Sequence, residues 1–270
     1  MGLFDRFKKK KEEKAKVEQE GGNFLGFVLL EDGNFDWKAL VQTMKEDWNL
    51  QMEEPEEDGE EYPDSHVFTC EDCMIVLGLV DMPIPNHEAE ENAARNYMWR
   101  EAVERTQTHK ANLIVSVMGK DVPMLERSKL YVKVTASCCK QQNVVGIYTS
   151  GVVFEPAFYI EAAEIMRDGN IPLLNLVWFG IYQTEKGISG YTYGLNSFGK
   201  DEIEVLDTSV SPAEVREFLL DMVSYVLEAD VVLRDGETIG FSAEQKLPIT
   251  RSKGVALEGM TLKIEYGKAE

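Results

Sequence analysis

Residues His66–Val80 read HVFTCEDCMIVLGLV. Two apolar, β-rich runs, His66 to Cys70 and Cys73 to Val80, flank the dipeptide Glu71-Asp72. That pattern predicts two antiparallel strands joined by a tight turn. Upstream, Phe24 to Leu30 is a third short apolar run, closed by the turn residues Glu31-Asp32-Gly33-Asn34. Between them Trp37, Leu40, Val41, Met44 and Trp48 recur at helical spacing and form one apolar face. Downstream, Pro83-Ile84-Pro85 is a stiff connection, residues 88 to 109 read as one long helix, and Asn112 to Met118 as a strand. The order strand, helix, strand, strand, helix, strand is that of a ferredoxin-like unit.

Beyond it, Met124 to Lys140 fits a helix, because it runs without Gly or internal Pro, although Leu130, Val132 and Val134 also alternate like a strand. A second series begins at Val144. Val144 to Tyr148 and Val152 to Phe154 read as strands, and Phe158, Ala162, Ile165 and Met166 as a helix face closed by Gly169. Leu173 to Tyr182, Tyr191 to Leu195 and Glu202 to Leu206 read as strands. Ser211, Pro212 and Glu214 supply an N-cap, a first-turn proline and a capping-box glutamate. Val215, Phe218, Leu219, Met222 and Val226 are the buried stripe of the helix that follows. Val231 to Leu233, Thr238 to Phe241 and Leu262 to Tyr266 close the chain as strands. The expected fold is α+β, with antiparallel or mixed sheets carrying helices, arranged as two ferredoxin-like βαββαβ units. The expected boundaries are a flexible basic arm over 1–22, one unit over 23–142 and a second over 143–270.

Charge limits the function. The 270 residues hold 28 Lys plus Arg against 48 Asp plus Glu, a formal charge of −20. Gripping nucleic-acid phosphates needs a basic stripe, so that class is excluded. The charge is unevenly spread. Residues 1 to 20 carry seven basic and five acidic groups, with Leu3, Phe4 and Phe7 preceding Lys8 to Lys11, which suits a solvated tail or weak contact with an anionic membrane. From Glu46 to Asp64 there are ten acidic residues and no basic one, a self-repelling, solvated loop. No apolar run approaches the roughly 18 to 20 residues of a membrane span, and the opening Met1-Gly2-Leu3-Phe4-Asp5-Arg6 has no apolar core of secretory-signal length, so export is not expected. With four cysteines, too few for a disulfide scaffold, the expected location is the cytoplasm.

Motifs for chemistry are sparse. Cys70-Glu71-Asp72-Cys73 is a single C-x-x-C across a strand turn, where zinc would need a second pair and a redox site a helix start. His66, His87 and His109 are scattered; His87 and Glu91 are one turn apart on a helix, with no second pair. Cys138 and Cys139 read as packing residues. Met118-Gly119-Lys120-Asp121 lacks the phosphate-loop glycine and hydroxyl, and Gly187-Ile188-Ser189-Gly190-Tyr191 lacks the last glycine of a nucleophile elbow. No cofactor motif, metal set or catalytic constellation results.

Two features remain as binding candidates. Glu161, Glu164 and Asp168 fall at i, i+3 and i+7, and Glu214, Glu217 and Asp221 repeat the spacing. Each is either a solvated helix back or a surface for a basic partner. Gly187 to Gly199 carries Tyr191, Tyr193 and Phe198 among four glycines, either a self-packed hairpin or a binding surface.

Gly190-Tyr191-Thr192-Tyr193-Gly194-Leu195, Phe198-Gly199-Lys200, Glu202-Ile203-Glu204 and the Ser211-Pro212 helix resemble a bacterial domain-of-unknown-function family (domain of unknown function 4261). The resemblance is clearest over residues 187 to 266. Thr149-Ser150-Gly151 with Glu155-Pro156 resembles the longer proteins that carry this domain. It implies a bacterial setting and transfers no activity. The expected function is therefore a non-enzymatic, acidic protein-binding module of the immunity or stress-accessory kind, with a basic protein as partner. The alternative is an enzyme with a small-molecule pocket between the units, using Glu155 with Tyr191 or Tyr193.

Overall fold

The computed structural model describes residues 24–53, 64–242 and 245–267. The basic arm with its membrane contact, and residues 54–63 of the acidic loop, lie outside the described residues. The described chain divides into two compact units, 24–178 and 179–267.

The N-terminal unit is a six-stranded antiparallel sheet in the order β2-β3-β4-β1-β5-β6. Its strands are β1 (Phe24–Leu30), β2 (Ser65–Cys70), β3 (Cys73–Val80), β4 (Ala111–Met118), β5 (Val144–Thr149) and β6 (Val152–Phe154). Its helices are α1 (Trp37–Trp48), α2 (Glu88–Ala93), α3 (Ala102–Thr106), α4 (Met124–Cys138), α5 (Pro156–Ala163) and α6 (Leu173–Leu176). The β2–β3 hairpin turns at Glu71 and Asp72, both left-handed with φ of 49° and 60°, as two-residue hairpins favour. Both faces of the sheet are covered. Gly26 leaves room for the Tyr131 hydroxyl of α4, and alternation puts Val28 on that same face. Leu29 faces the other way, into a cluster with Ala89, Ala93, Trp99 and Ala102. Burial on two sides explains why β1 reads as a continuous apolar run rather than an alternating one.

The C-terminal unit is a mixed sheet in the order β10-β11-β12-β9-β8-β7. Its strands are β7 (Trp178–Gln183), β8 (Ile188–Tyr193), β9 (Ile203–Thr208), β10 (Thr238–Ile239), β11 (Leu247–Lys253) and β12 (Met260–Ile264). β9 and β12 pair in parallel, while β8–β9, β10–β11 and β11–β12 are antiparallel. Helix α7 (Pro212–Glu228) packs on β8, and a Cβ at Gly190 would lie 2.7 Å from Val215 and 3.0 Å from Leu219. Ser211 and Glu214 form the capping box that starts α7.

The α+β class holds, and four sequence expectations are corrected. The ferredoxin-like order requires β3 between β1 and β2, with β4 outside β1; here β4 lies between β3 and β1, and β5 takes the other side of β1. Since β5 and β6 complete the first sheet, the unit boundary falls at 178/179 rather than 142/143. The long helix over 88–109 is two short ones, because the Asn96 side chain accepts from the N–H groups of Met98 and Trp99 and diverts the backbone. Leu173 to Leu176 is a helical turn before β7, anchored where Asn175 donates to the Tyr159 carbonyl.

Candidate functional site

Among the described residues a concavity opens beside the start of α1. Asp36 is the N-cap of that helix: its Oδ1 accepts the Ala39 N–H at 2.9 Å. Trp37 therefore stands at the first helical position, at the mouth of the loop that Phe35 belongs to. Strand alternation places His66 and Phe68 of β2 on one face. The His66 ring centroid is 4.1 Å from that of Trp37 and 6.0 Å from that of Phe68, and Phe35 meets Trp37 edge-on at 4.8 Å. Phe68 is buried, and Phe35, Trp37 and His66 are half-buried. These rings wall a cleft of about 960 Å³.

The opposite wall is held by amides. Gln141 Oε1 accepts the Asp36 N–H, and its Nε2 donates to the Asp36 carbonyl, both at 2.9 Å. Asn143 Nδ2 donates to Asp32 Oδ1 at 2.9 Å and to the Asn34 carbonyl at 2.6 Å. The loop 32–36 is thus fixed before any ligand arrives. The Asn34 backbone N–H, then the Asn143 amide, hold the Asp32 carboxyl below its ordinary value, so the rim keeps its negative charge. Asp32 and Asp36 are exposed at that rim, with Lys38 and Gln142 beside them. An aromatic wall, two carboxylates and fixed amides can take a flat cation: ring faces attract positive charge, and the carboxylates accept its hydrogen bonds.

The residues singled out in the sequence lie elsewhere. Glu155 precedes α5 as its N-cap, in the N-terminal unit. Tyr191, Tyr193 and Phe198 belong to the C-terminal unit, so this set does not fall within one unit. Tyr191 covers Gly180, where an added Cβ would lie 2.2 Å from its ring, and approaches Tyr182 at 6.3 Å. Tyr193 is exposed, and Phe198 is buried in the turn 195–198. Glu161, Glu164 and Asp168 are exposed on α5 and the turn after it, and Arg167 pairs with Glu164 while lying 4.8 Å over the Trp48 ring.

Cys70 and Cys73 face each other across the hairpin as free, buried thiols. His109 is a core fastener: its Nε2 accepts the Ile84 N–H at 2.9 Å, and its Nδ1 lies 2.5 Å from the Thr106 carbonyl. His87 is exposed, 3.9 Å from Glu90 rather than paired with Glu91. Among the described residues no three His, Cys, Asp or Glu side chains gather as metal ligands.

Sequence reasoning missed the cleft and two buried carboxylates. In the sequence Trp37 fits an apolar helix face and His66 opens a strand, and no periodicity joins the two. The signal was local: Phe35, Asp36 and Trp37 join a cap to two rings, with His66 and Phe68 alternating nearby. Glu202 accepts from Thr192 Oγ1 and the Gly194 N–H, each at 2.8 Å, and from the Asn196 N–H at 3.1 Å. Glu204 accepts from the Val255 and Ala256 N–H groups and Thr261 Oγ1, and pairs with Lys263 at 3.1 Å. With every donor engaged, these two pin loops to strand β9.

Residues 191–265 match the family model described as a domain of unknown function (DUF4261). No curated protein and no solved structure matches the chain. No helix among the described residues is long and apolar enough to cross a membrane.

Proposed function

We propose that this is a cytoplasmic, non-enzymatic protein-binding module whose N-terminal unit reads a basic side chain of its partner. The observation that carries the reading is the cleft beside α1, aromatic on one wall, acidic at the rim, and held open by Gln141 and Asn143. An arginine guanidinium fits it: the planar ion lies on the exposed ring surface of Trp37 and donates to Asp32 and Asp36. The net charge of −20 steers a basic partner toward the body.

The test is titration with a five-residue glycine–arginine repeat and its glycine–glutamine counterpart, followed by tryptophan fluorescence. Asp36→Asn keeps the helix cap and removes the charge. The arginine peptide is expected to bind, to weaken with salt, and to lose about fivefold in affinity in Asp36→Asn, the worth of one exposed ion pair. No binding, equal binding of the glutamine peptide, or unchanged affinity in Asp36→Asn overturns the reading.

A further inference from the structure

We propose that the C-terminal unit captures an extended, basic and apolar segment of a partner protein, which adds as a strand to the open edge of β10 beside α7. Among the described residues strand β10 ends its sheet, with β11 as its one neighbour. Thr238 stands opposite Pro248, which has no N–H to donate. The adjacent ladder bond runs from the Ile249 N–H to the Glu237 carbonyl at 2.9 Å. Antiparallel pairing alternates inward and outward backbone groups, so Thr238 turns its own N–H and carbonyl to the outer edge. A strand with such groups free is a template for another strand.

The space beside that edge suits the addition. Two adjoining hollows of about 510 and 610 Å³ share Tyr225, Thr238 and Ile239. Tyr225 is 48% exposed and Phe241 56%, large rings left in water where apolar side chains of the incoming strand would cover them. Phe241 is seated edge-on against Phe218 at 5.8 Å, and Phe218 stacks on Tyr266 at 4.1 Å, so the apolar wall continues into the core. The rim is acidic: Asp221, Glu228 and Glu237 line the hollows, and among the described residues no lysine or arginine does. The nearby Arg234 is engaged by Glu237 at 3.6 Å. The fitting segment alternates apolar residues, directed to Tyr225 and Ile239, with lysine or arginine directed to the acids on α7. The site shares no residue with the cleft beside α1.

The probe is an alternating lysine–valine hexapeptide, with a glutamate–valine hexapeptide as control, added to the full chain and followed by amide hydrogen exchange and titration. The lysine peptide is expected to slow exchange at Thr238 at least tenfold. Tyr225→Ala and the pair Asp221→Asn with Glu228→Gln should each weaken it about tenfold, and Thr238→Pro, tolerable on an edge strand, should abolish it. Asp36→Asn should leave it unchanged. Binding without protection of Thr238, survival in Thr238→Pro or Tyr225→Ala, equal binding of the glutamate peptide, or loss in Asp36→Asn overturns the proposal. So does no binding at all.

Discussion

Gln141 holds Asp36 by both of its backbone polar groups, accepting the N–H and donating to the carbonyl at 2.9 Å each, across 105 residues of sequence. One side chain thereby ties the start of α1 to the end of α4. Gln141→Ala should lower stability by about 1–2 kcal/mol, two modest hydrogen bonds, in urea denaturation. It should also weaken arginine-peptide binding, since the acidic rim would no longer be preorganised. Unchanged stability would mean the clamp is ornamental.

Glu204 gives the C-terminal unit a dependence on acid. Burial pushes its pKa up, but the Ala256 N–H, Thr261, Lys263 and the Val255 N–H together bring it below the ordinary 4.5. A folded value under the unfolded one means that the carboxylate stabilises the fold above about pH 4.5 and ceases to as pH falls through the folded value. Glu204→Gln should therefore be clearly less stable than the parent at pH 7, and the gap should close on acidification. Glu202, raised by burial, acts in the opposite sense and is present in both proteins. A gap constant between pH 7 and pH 3 would contradict the assignment.

Gly190 is where β8 and α7 come closest. An added methyl would lie 2.7 Å from Val215, 2.9 Å from Ile181 and 3.0 Å from Leu219. Gly190→Ala should cost about 1–3 kcal/mol by overpacking. Thermal denaturation reads it directly, and a variant as stable as the parent would show that α7 can shift.

The four thiols are buried, and burial raises all of them, Cys70 to about 11. Thiols need their anion to react. Native protein at pH 8 should label with an aromatic disulfide reagent far more slowly than protein in guanidinium, where all four react. Rapid native labelling of Cys70 or Cys73 would reopen a redox role for the hairpin.

Local chemistry was legible wherever neighbours in sequence do the work. Ser211 with Glu214, Gly169 in the left-handed conformation and the Glu71-Asp72 turn are contacts over a few residues. Asn96 was harder, because an asparagine within a helical pattern shows its backbone capture only once Met98 and Trp99 turn toward it. Strand β11 was missed because Ile249 is its one buried residue, and a strand with one inward side chain has no alternation to read.

By itself the sequence determined the α+β class, the hairpin at Glu71-Asp72, the apolar face of α1, the capped start of α7 and a net charge of −20. Tertiary structure alone decided that β4 rather than β3 lies beside β1, that β5 and β6 close the first sheet, and that Phe35, Trp37, His66 and Gln141 share one cleft. It also decided that Glu202 and Glu204 face inward to bind backbone N–H groups. The physical reason is range. Caps, turns and periodicity act over a few residues, while strand neighbours and clefts are fixed by packing between segments that lie far apart along the chain.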